Sequence, residues 1–240
     1  MSNNYFQFRQ FRITQDKCAM KVCTDACLFG AWVAAHYSSL TTHHSLDIGT
    51  GTGLLSLMLA QKNPDIVIDA VEIDEPAASQ AKENIERSPW QERLTVYNLS
   101  IQEFADATKT KYSLIIANPP FYESDLKSDD QKRNLALHSA ALNLEALIDI
   151  ADILLKDDGN FLVLLPHHRT ENFIQLSQSK FFIRKRVFVK QTSQHSYFRT
   201  ILWLSKQPGM TDESGITIMN NAGKYTDEFI ALLKDYYLYL

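Results

Sequence analysis

The stretch Ser45-Leu46-Asp47-Ile48-Gly49-Thr50-Gly51-Thr52-Gly53-Leu54 sets the architecture of this 240-residue chain. Ser45–Ile48 reads as a short strand, and the apolar run from Leu54 to Gln61 reads as a helix. Between them, glycine at every second position lets the backbone turn tightly and leaves no Cβ to hold a ligand away. Strand, glycine turn and helix in that order form the opening unit of a parallel α/β sheet. The spacing is Gly-x-Gly-x-Gly, not the Gly-x-Gly-x-x-Gly of dinucleotide binders.

The alternation continues on the carboxyl side. Ile66–Ile73 reads as a strand and Pro76–Arg87 as a helix, its proline tolerated in the first turn. Leu94–Leu99 and Tyr112–Ala117 are further strands. Leu142–Lys156 has helical spacing, and Gly159 is a stop signal before a strand over Asn160–Leu165. A helix near Thr170–Ser177 leads to strands over Phe181–Lys190 and Tyr197–Ser205. The polar stretch between these two is too short for a helical crossover, so they are expected to pair antiparallel. The expected fold is α/β and Rossmann-like: a seven-stranded, mostly parallel sheet with one antiparallel edge strand and helices on both faces. One domain is expected over 1–240: an arm and a helix capped by Thr24-Asp25 over 1–44, a core over 45–206, and an extension packed on it over 207–240. In that extension Gly215–Met219 reads as a strand and Thr226–Leu240 as a turn and apolar helix.

Apolar residues make up 45% and charged residues 22% of the chain, ordinary values for a globular protein. No apolar run is long enough to span a bilayer, and the first residues lack the layout of a signal peptide, so a cytoplasmic protein is expected. Cys18, Cys23 and Cys27 are too few to pair completely and have no second ligand cluster, which favours reduced thiols and no metal. Net charge is −4, yet no acid falls between Glu171 and Asp212, where Lys180, Arg184, Lys185, Arg186, Lys190, Arg199 and Lys206 occur. Arg9, Arg12, Lys17 and Lys21 add to this near the amino end. Such segregation either builds a basic face for phosphates or is the solvated face of one strand and its flanks.

Around the glycine turn (Gly49, Gly51, Gly53, Leu54) stand the residues expected of an S-adenosylmethionine (SAM) site. Asp47 before the turn can hold an ammonium, and N–H groups of the following helix can hold a carboxylate. Glu72 ends the next strand, placed for two ribose hydroxyls, with Asp74 as its competitor. Ile73 is placed to pack on an adenine face, and Gln102 or Ser100 to read its edge; each is equally an ordinary loop residue. A nicotinamide dehydrogenase is disfavoured by the glycine spacing.

Directly after the strand Tyr112–Ala117 comes Asn118-Pro119-Pro120-Phe121. An exocyclic amino group is a poor nucleophile because its lone pair is delocalised. Two acceptors on its hydrogens, the Asn118 amide oxygen and the Pro119 carbonyl, align the nitrogen and localise that pair. Phe121 is placed to stack on the substrate plane. The polar segment Glu123–Arg133 is expected to be a mobile loop beside this site.

These two motifs, with the sheet expected above, resemble the class I SAM-dependent amino-group methyltransferases. Phe8-Arg-Gln-Phe-Arg12, Met20-Lys-Val-Cys-Thr-Asp25, Gly30-Ala-Trp32, Gly223-Lys-Tyr-Thr-Asp-Glu-Phe229 and Tyr236-Tyr-Leu238 extend the resemblance over essentially the whole chain. They are similar to the bacterial valine-tRNA adenine-37 N6-methyltransferase family. Cys23 stands where that pattern has glycine. The resemblance implies methylation of the adenine beside the anticodon, and Lys21, Thr24 and Asp25 over the cofactor's methionine end. It also points to Arg133 and His138 as substrate contacts. The partner would be a tRNA anticodon stem-loop, its phosphates tracked by Arg9, Arg12, Lys17, Arg184, Lys185, Arg186 and Lys190, and its adenine splayed into the pocket. No membrane partner is expected, and the enzyme is expected to be a monomer.

The runner-up is glutamine N5-methylation of a translation protein, which uses a similar Asn-Pro-Pro motif. That family carries an additional helical domain, and about forty residues before Asp47 are too few for one. A SAM- and RNA-binding protein without turnover is the reading from another class. Intact Asn118 and Phe121 speak against it.

Overall fold

The computed structural model describes residues 3–37, 44–119 and 143–240. A small antiparallel hairpin, β1 (Tyr5–Gln7) and β2 (Arg12–Thr14), precedes α1 (Thr24–Tyr37). Then come β3 (His44–Ile48), α2 (Leu54–Lys62), β4 (Val67–Glu72), α3 (Glu75–Glu86), β5 (Leu94–Asn98), α4 (Ile101–Ala107) and β6 (Tyr112–Ala117). The chain continues through α5 (Leu144–Leu154), β7 (Leu155–Pro166), α6 (Thr170–Ser177), β8 (Phe182–Lys190), β9 (Tyr197–Ser205), β10 (Asp212–Thr217) and α7 (Asp227–Leu233).

The main sheet has eight strands in the order β10-β8-β9-β7-β6-β3-β4-β5. Every pairing is parallel except the two made by β9. The antiparallel strand is therefore inside the sheet, where an edge position was expected. The chain re-enters at β8 one strand beyond β7, and the turn over 191–196 folds β9 back into the gap, where both of its edges find partners. The eighth strand comes from the carboxyl-terminal extension. Its residues Asp212-Glu-Ser-Gly215 carry no apolar alternation, and charge places them instead: Asp212 lies opposite Lys185 and Glu213 opposite Arg186.

β6 is buried along its whole length, as a central strand covered on both faces must be. One face packs on α1, α2, α7 and the hairpin, through residues such as Phe29, Trp32, Leu57 and Met58. The other packs on α4, α5 and α6 through Phe104, Leu147, Ile148 and Phe173. Each large apolar side chain removed from water contributes roughly 1.5–3 kcal/mol. The helix expected to run to Lys156 ends at Leu154. Leu155 then pairs with Tyr112, and pairing resumes only at Leu114 opposite Asn160, so 156–159 bulge outward.

The chain's two ends meet on α2. Phe8 bridges to Tyr237, the Arg9 amide and guanidinium donate to the carbonyls of Tyr236 and Tyr237 at 2.9 and 2.7 Å, and Tyr236 Oη donates to the Met58 carbonyl at 2.9 Å. These contacts draw Tyr236 and Tyr237 out of helical continuation, so α7 is shorter than the expected Thr226–Leu240 helix. The Phe-Arg-Gln-Phe and Tyr-Tyr motifs are thus halves of one joint.

From β3 the chain proceeds through β4 and β5 to one side of the sheet, while β6 and β7 lie on the other. That reversal leaves a crevice at the strands' carboxyl ends, between β3 and β6, where ligands of open α/β sheets bind. Among the described residues no helix is long and apolar enough to cross a membrane, and no cluster of three or more His, Cys, Asp or Glu could hold a metal ion.

Candidate active site

Gly49, Gly51 and Gly53 hold φ of +70°, +56° and +80°, a region that side chains with a Cβ rarely adopt. A Cβ on Gly49 or Gly51 would meet nothing within 4 Å, so their open faces border space and not protein. The Gly49 and Thr50 amides both donate to the Val71 carbonyl, at 2.9 and 3.1 Å, which ties the turn to β4. Beneath the turn, Asp47 is wholly buried. Its Oδ2 accepts from Thr50 Oγ1 and Ser56 Oγ, each at 2.7 Å, while Oδ1 has no hydrogen-bond partner. Burial pushes this carboxyl up to about 6, against the two hydroxyls that lower it and with the charge of Glu72 raising it further.

Glu72 and Asp74, rivals by position, have different jobs. Asp74 caps α3 by accepting from the Ala77 amide at 3.1 Å. Glu72 accepts from the Gly51 amide at 2.9 Å and the Asp74 amide at 3.0 Å, which orients its carboxylate against the glycine turn. Ile73 is exposed beside it, and the Asn98 side-chain amide donates to the Glu72 and Ile73 carbonyls at 3.0 and 3.2 Å. Ser100 is consumed by a capping box with Glu103 at the start of α4, and Gln102 is exposed within the same first turn. Leu54 opens α2 as a buried residue.

The amino-terminal arm reaches the same rim. Thr14 exchanges backbone hydrogen bonds with the Asn84 side chain, and the Lys17 amide donates to Gln80 Oε1, so the arm runs along α3. Cys18 is half-buried there, and burial together with the charges of Glu72 and Asp74 pushes its thiol up to about 11. Asp25 accepts from Arg199 Nε at 2.7 Å and from the Ala26 amide at 3.1 Å. Burial raises its carboxyl, but hydrogen bonds from Cys23 and Arg199 outweigh that and hold it below the ordinary value. Cys23, in the position expected to be glycine, is thus a partner of Asp25, and the pair ties the start of α1 to β9. Lys21 and Thr24 are exposed at that start.

Asn118, half-buried, and Pro119, buried, follow β6. Ile48 pairs with Ala117, so the glycine turn and Asn118 leave adjacent parallel strands at the same level, about 4.8 Å apart in strand spacing. Pro120, Phe121, Glu123–Arg133 and His138 lie outside the described residues.

The basic residues do not form one unpaired track. Lys185 pairs with Asp212 at 2.8 Å, and Arg186 with Glu171 at 3.2 Å and Glu213 at 3.6 Å. Arg184 donates to the Pro208 carbonyl at 2.9 Å, and Lys17 pairs with Glu83. Arg12 lies over the Tyr5 ring, Arg9 on Tyr237, and Lys190 near Tyr197. Ser56 and Asn98 escaped the reading of the sequence. A lone hydroxyl within Leu54-Leu-Ser-Leu-Met-Leu-Ala60 was a signal for the first; the second had none.

This crevice, with a glycine turn on one strand, a carboxylate ending the next and Asn-Pro on the third, defines a class I methyltransferase. Residues 31–191 match the methyltransferase small domain family. A predicted O-methyltransferase from Agrobacterium tumefaciens shares the fold with a TM-score of 0.66 at 14% identity, over 88% of this chain and 96% of its own. A Thermus thermophilus 16S rRNA N2 G1207 methyltransferase, solved with AdoMet and guanosine, does so at 0.55 and 18%, over 82% of this chain and 47% of its own. Sequence relatives are much nearer. The tRNA1(Val) (adenine(37)-N6)-methyltransferase of Cytophaga hutchinsonii is 42% identical over the full length of both chains. That of Flavobacterium psychrophilum is 40% identical over 97% of this chain and 99% of its own. The chain belongs to the tRNA1(Val) (adenine(37)-N6)-methyltransferase family.

Proposed function

We propose that this methyltransferase transfers a methyl group from SAM to N6 of adenine 37 in the anticodon loop of valine tRNA, the reaction its relatives are named for. The observation that carries the reading is the pairing of Ile48 with Ala117, which sets the glycine turn and Asn118 side by side. SAM, when bound, supplies a methyl group activated by its sulfonium.

The chain's own residues do the rest. Glu72, already oriented by two backbone amides, accepts from ribose hydroxyls. Gly49 and Gly51 let the backbone come close, and the first amides of α2 face a carboxylate. The unpartnered Oδ1 of Asp47 is an acceptor for an ammonium, directly or through water. Ile73 packs on the adenine of the cofactor, with Gln102 at its edge. Lys21, Thr24 and Asp25 cover the methionine end, Asp25 acting through its grip on Arg199.

On the substrate side, Asn118 Oδ1 and the Pro119 carbonyl accept the two N6 hydrogens. This turns the nitrogen lone pair out of the ring's π-system and toward the methyl group. Pro120 stiffens the corner and Phe121 stacks on the base. The product nitrogen is acidic enough to release its proton to water, so no strong base is needed. Arg12 and Lys190 meet phosphates; Arg9, Lys17, Arg184, Lys185 and Arg186 do so only by exchanging the partners they hold.

The test is incubation with tritiated SAM and bulk tRNA from a strain lacking the enzyme, followed by nucleoside mapping. N6-methyladenosine at position 37 of valine tRNA is expected. Label confined to protein would favour glutamine methylation instead, and SAM uptake without any transfer would make this a binding protein.

A further inference from the structure

Three rings gather at the same edge of the sheet, outside the residues assigned so far. His167 follows β7, Phe188 lies near the end of β8 and Tyr197 opens β9. Tyr197 is 5.3 Å from Phe188 and 5.4 Å from His167, centroid to centroid, and His167 stands 5.6 Å from Phe188 at 86°. His167 Nδ1 is fixed by Thr200 Oγ1 at 2.9 Å, and Thr200 is wholly buried, so the imidazole cannot swing away. Tyr197 itself is 41% exposed. Lys190 Nζ lies 5.6 Å from its centroid, and no carboxylate pairs with Lys190 among the described residues. Four and five positions earlier on β8, by contrast, Arg186 is neutralised by Glu171 and Glu213 and Lys185 by Asp212.

An exposed ring braced by two others, with an unpaired cation beside it, is the surface on which an unpaired base stacks. Its position suits that use. β9 is separated from β6 only by β7, so it lies two strand spacings, roughly 10 Å, from the strand that carries Asn118. Moving an adenine out of an RNA loop into a pocket strips its neighbour of a stacking partner. A ring at the pocket's rim replaces it.

We infer that Tyr197, backed by Phe188 and His167, is a stacking platform for an RNA base flanking the methylated adenine, with Lys190 holding an adjoining phosphate. The inference rests on the proposed RNA substrate. It adds a substrate-positioning site that acts on binding and not on the chemistry.

The experiment compares the full-length parent with Tyr197→Ala, Tyr197→Phe and Lys190→Gln, using a synthetic anticodon stem-loop of valine tRNA. Anisotropy gives RNA affinity over a salt series, calorimetry gives SAM affinity, and steady-state methylation separates KM from kcat. Tyr197→Ala is expected to weaken RNA binding and raise KM by roughly 5- to 150-fold, the range for one stacked base, with kcat and SAM affinity held. Tyr197→Phe, which keeps the ring, should stay within about twofold of the parent. Lys190→Gln should reduce the slope of log affinity against log salt by about 0.7, one phosphate of a single strand. A parent that methylates the RNA while Tyr197→Ala matches it overturns the platform and leaves the methylation reading intact. Loss of SAM affinity in Tyr197→Ala, or equal damage from Tyr197→Phe, also overturns it. A parent that neither binds nor methylates the stem-loop removes both proposals.

Discussion

Asp47→Asn offers a quantitative test of how the glycine turn is built. The parental carboxyl is wholly buried, and burial raises it from 3.8 to about 6. The folded state therefore keeps a proton that the unfolded state has already released. A group shifted in this direction favours folding most below its unfolded value, and that advantage disappears as pH rises through the folded value. At neutral pH the charged Asp47 opposes folding by roughly 3 kcal/mol, at about 1.4 kcal/mol per tenfold change in proton affinity. Asparagine keeps an oxygen for Thr50 and Ser56 but does not ionise. The stability of Asp47→Asn relative to the parent should therefore rise by about 2–3 kcal/mol between about pH 4 and pH 8. For a chain of this size that corresponds to a relative Tm gain of roughly 4–12 °C. Thermal unfolding of both proteins in matched buffers without SAM reads it, because the titrations of groups uncoupled from Asp47 cancel in the difference. Parallel curves across that range would refute the assignment of a charged, poorly solvated carboxylate beneath the turn. Saturating SAM should flatten the parental slope, since an ammonium beside Oδ1 favours the ionised form.

Three further outcomes are expected. Asn118→Ala should abolish methyl transfer while calorimetry finds SAM affinity nearly unchanged; loss of both would make Asn118 a structural residue. Gly51→Val places a β-branched side chain at φ +56° and puts its Cβ into the open cradle. It should lower stability by roughly 1–3 kcal/mol and prevent SAM binding at concentrations that saturate the parent, and a folded variant with parental affinity would contradict the cradle. Arg93 donates to the carbonyls of Asn63, Ile66 and Ala60 at 2.8, 3.0 and 3.0 Å, closing the carboxyl end of α2. Arg93→Met should lower the unfolding free energy by roughly 2–3 kcal/mol in urea titration without changing SAM affinity, and an unchanged midpoint would refute that role.

Local signals carried much of this molecule. The Gly-x-Gly-x-Gly spacing, Glu72 at the end of one strand and Asn118 at the end of another are each written within a few residues, because turn geometry and strand termination depend on nearest neighbours along the chain. The alternation of strand and helix is legible for the same reason, as is the antiparallel return of β9. Even the choice between Glu72 and Asp74 rests on a local cap.

Other features required the chain to be brought together in space. Asp25 meets Arg199 across 174 residues, and β6 resumes its pairing with β7 at Leu114 only after a bulge. The inward place of β9, the joint between Phe8 and Tyr237, the neutralisation of Lys185 and Arg186 by β10, and the ring cluster around Tyr197 depend on which elements pack side by side. Spacing along a chain states which face a residue occupies, but a contact between distant segments is chosen by mutual burial and charge pairing, and those energies exist only once the sheet has assembled.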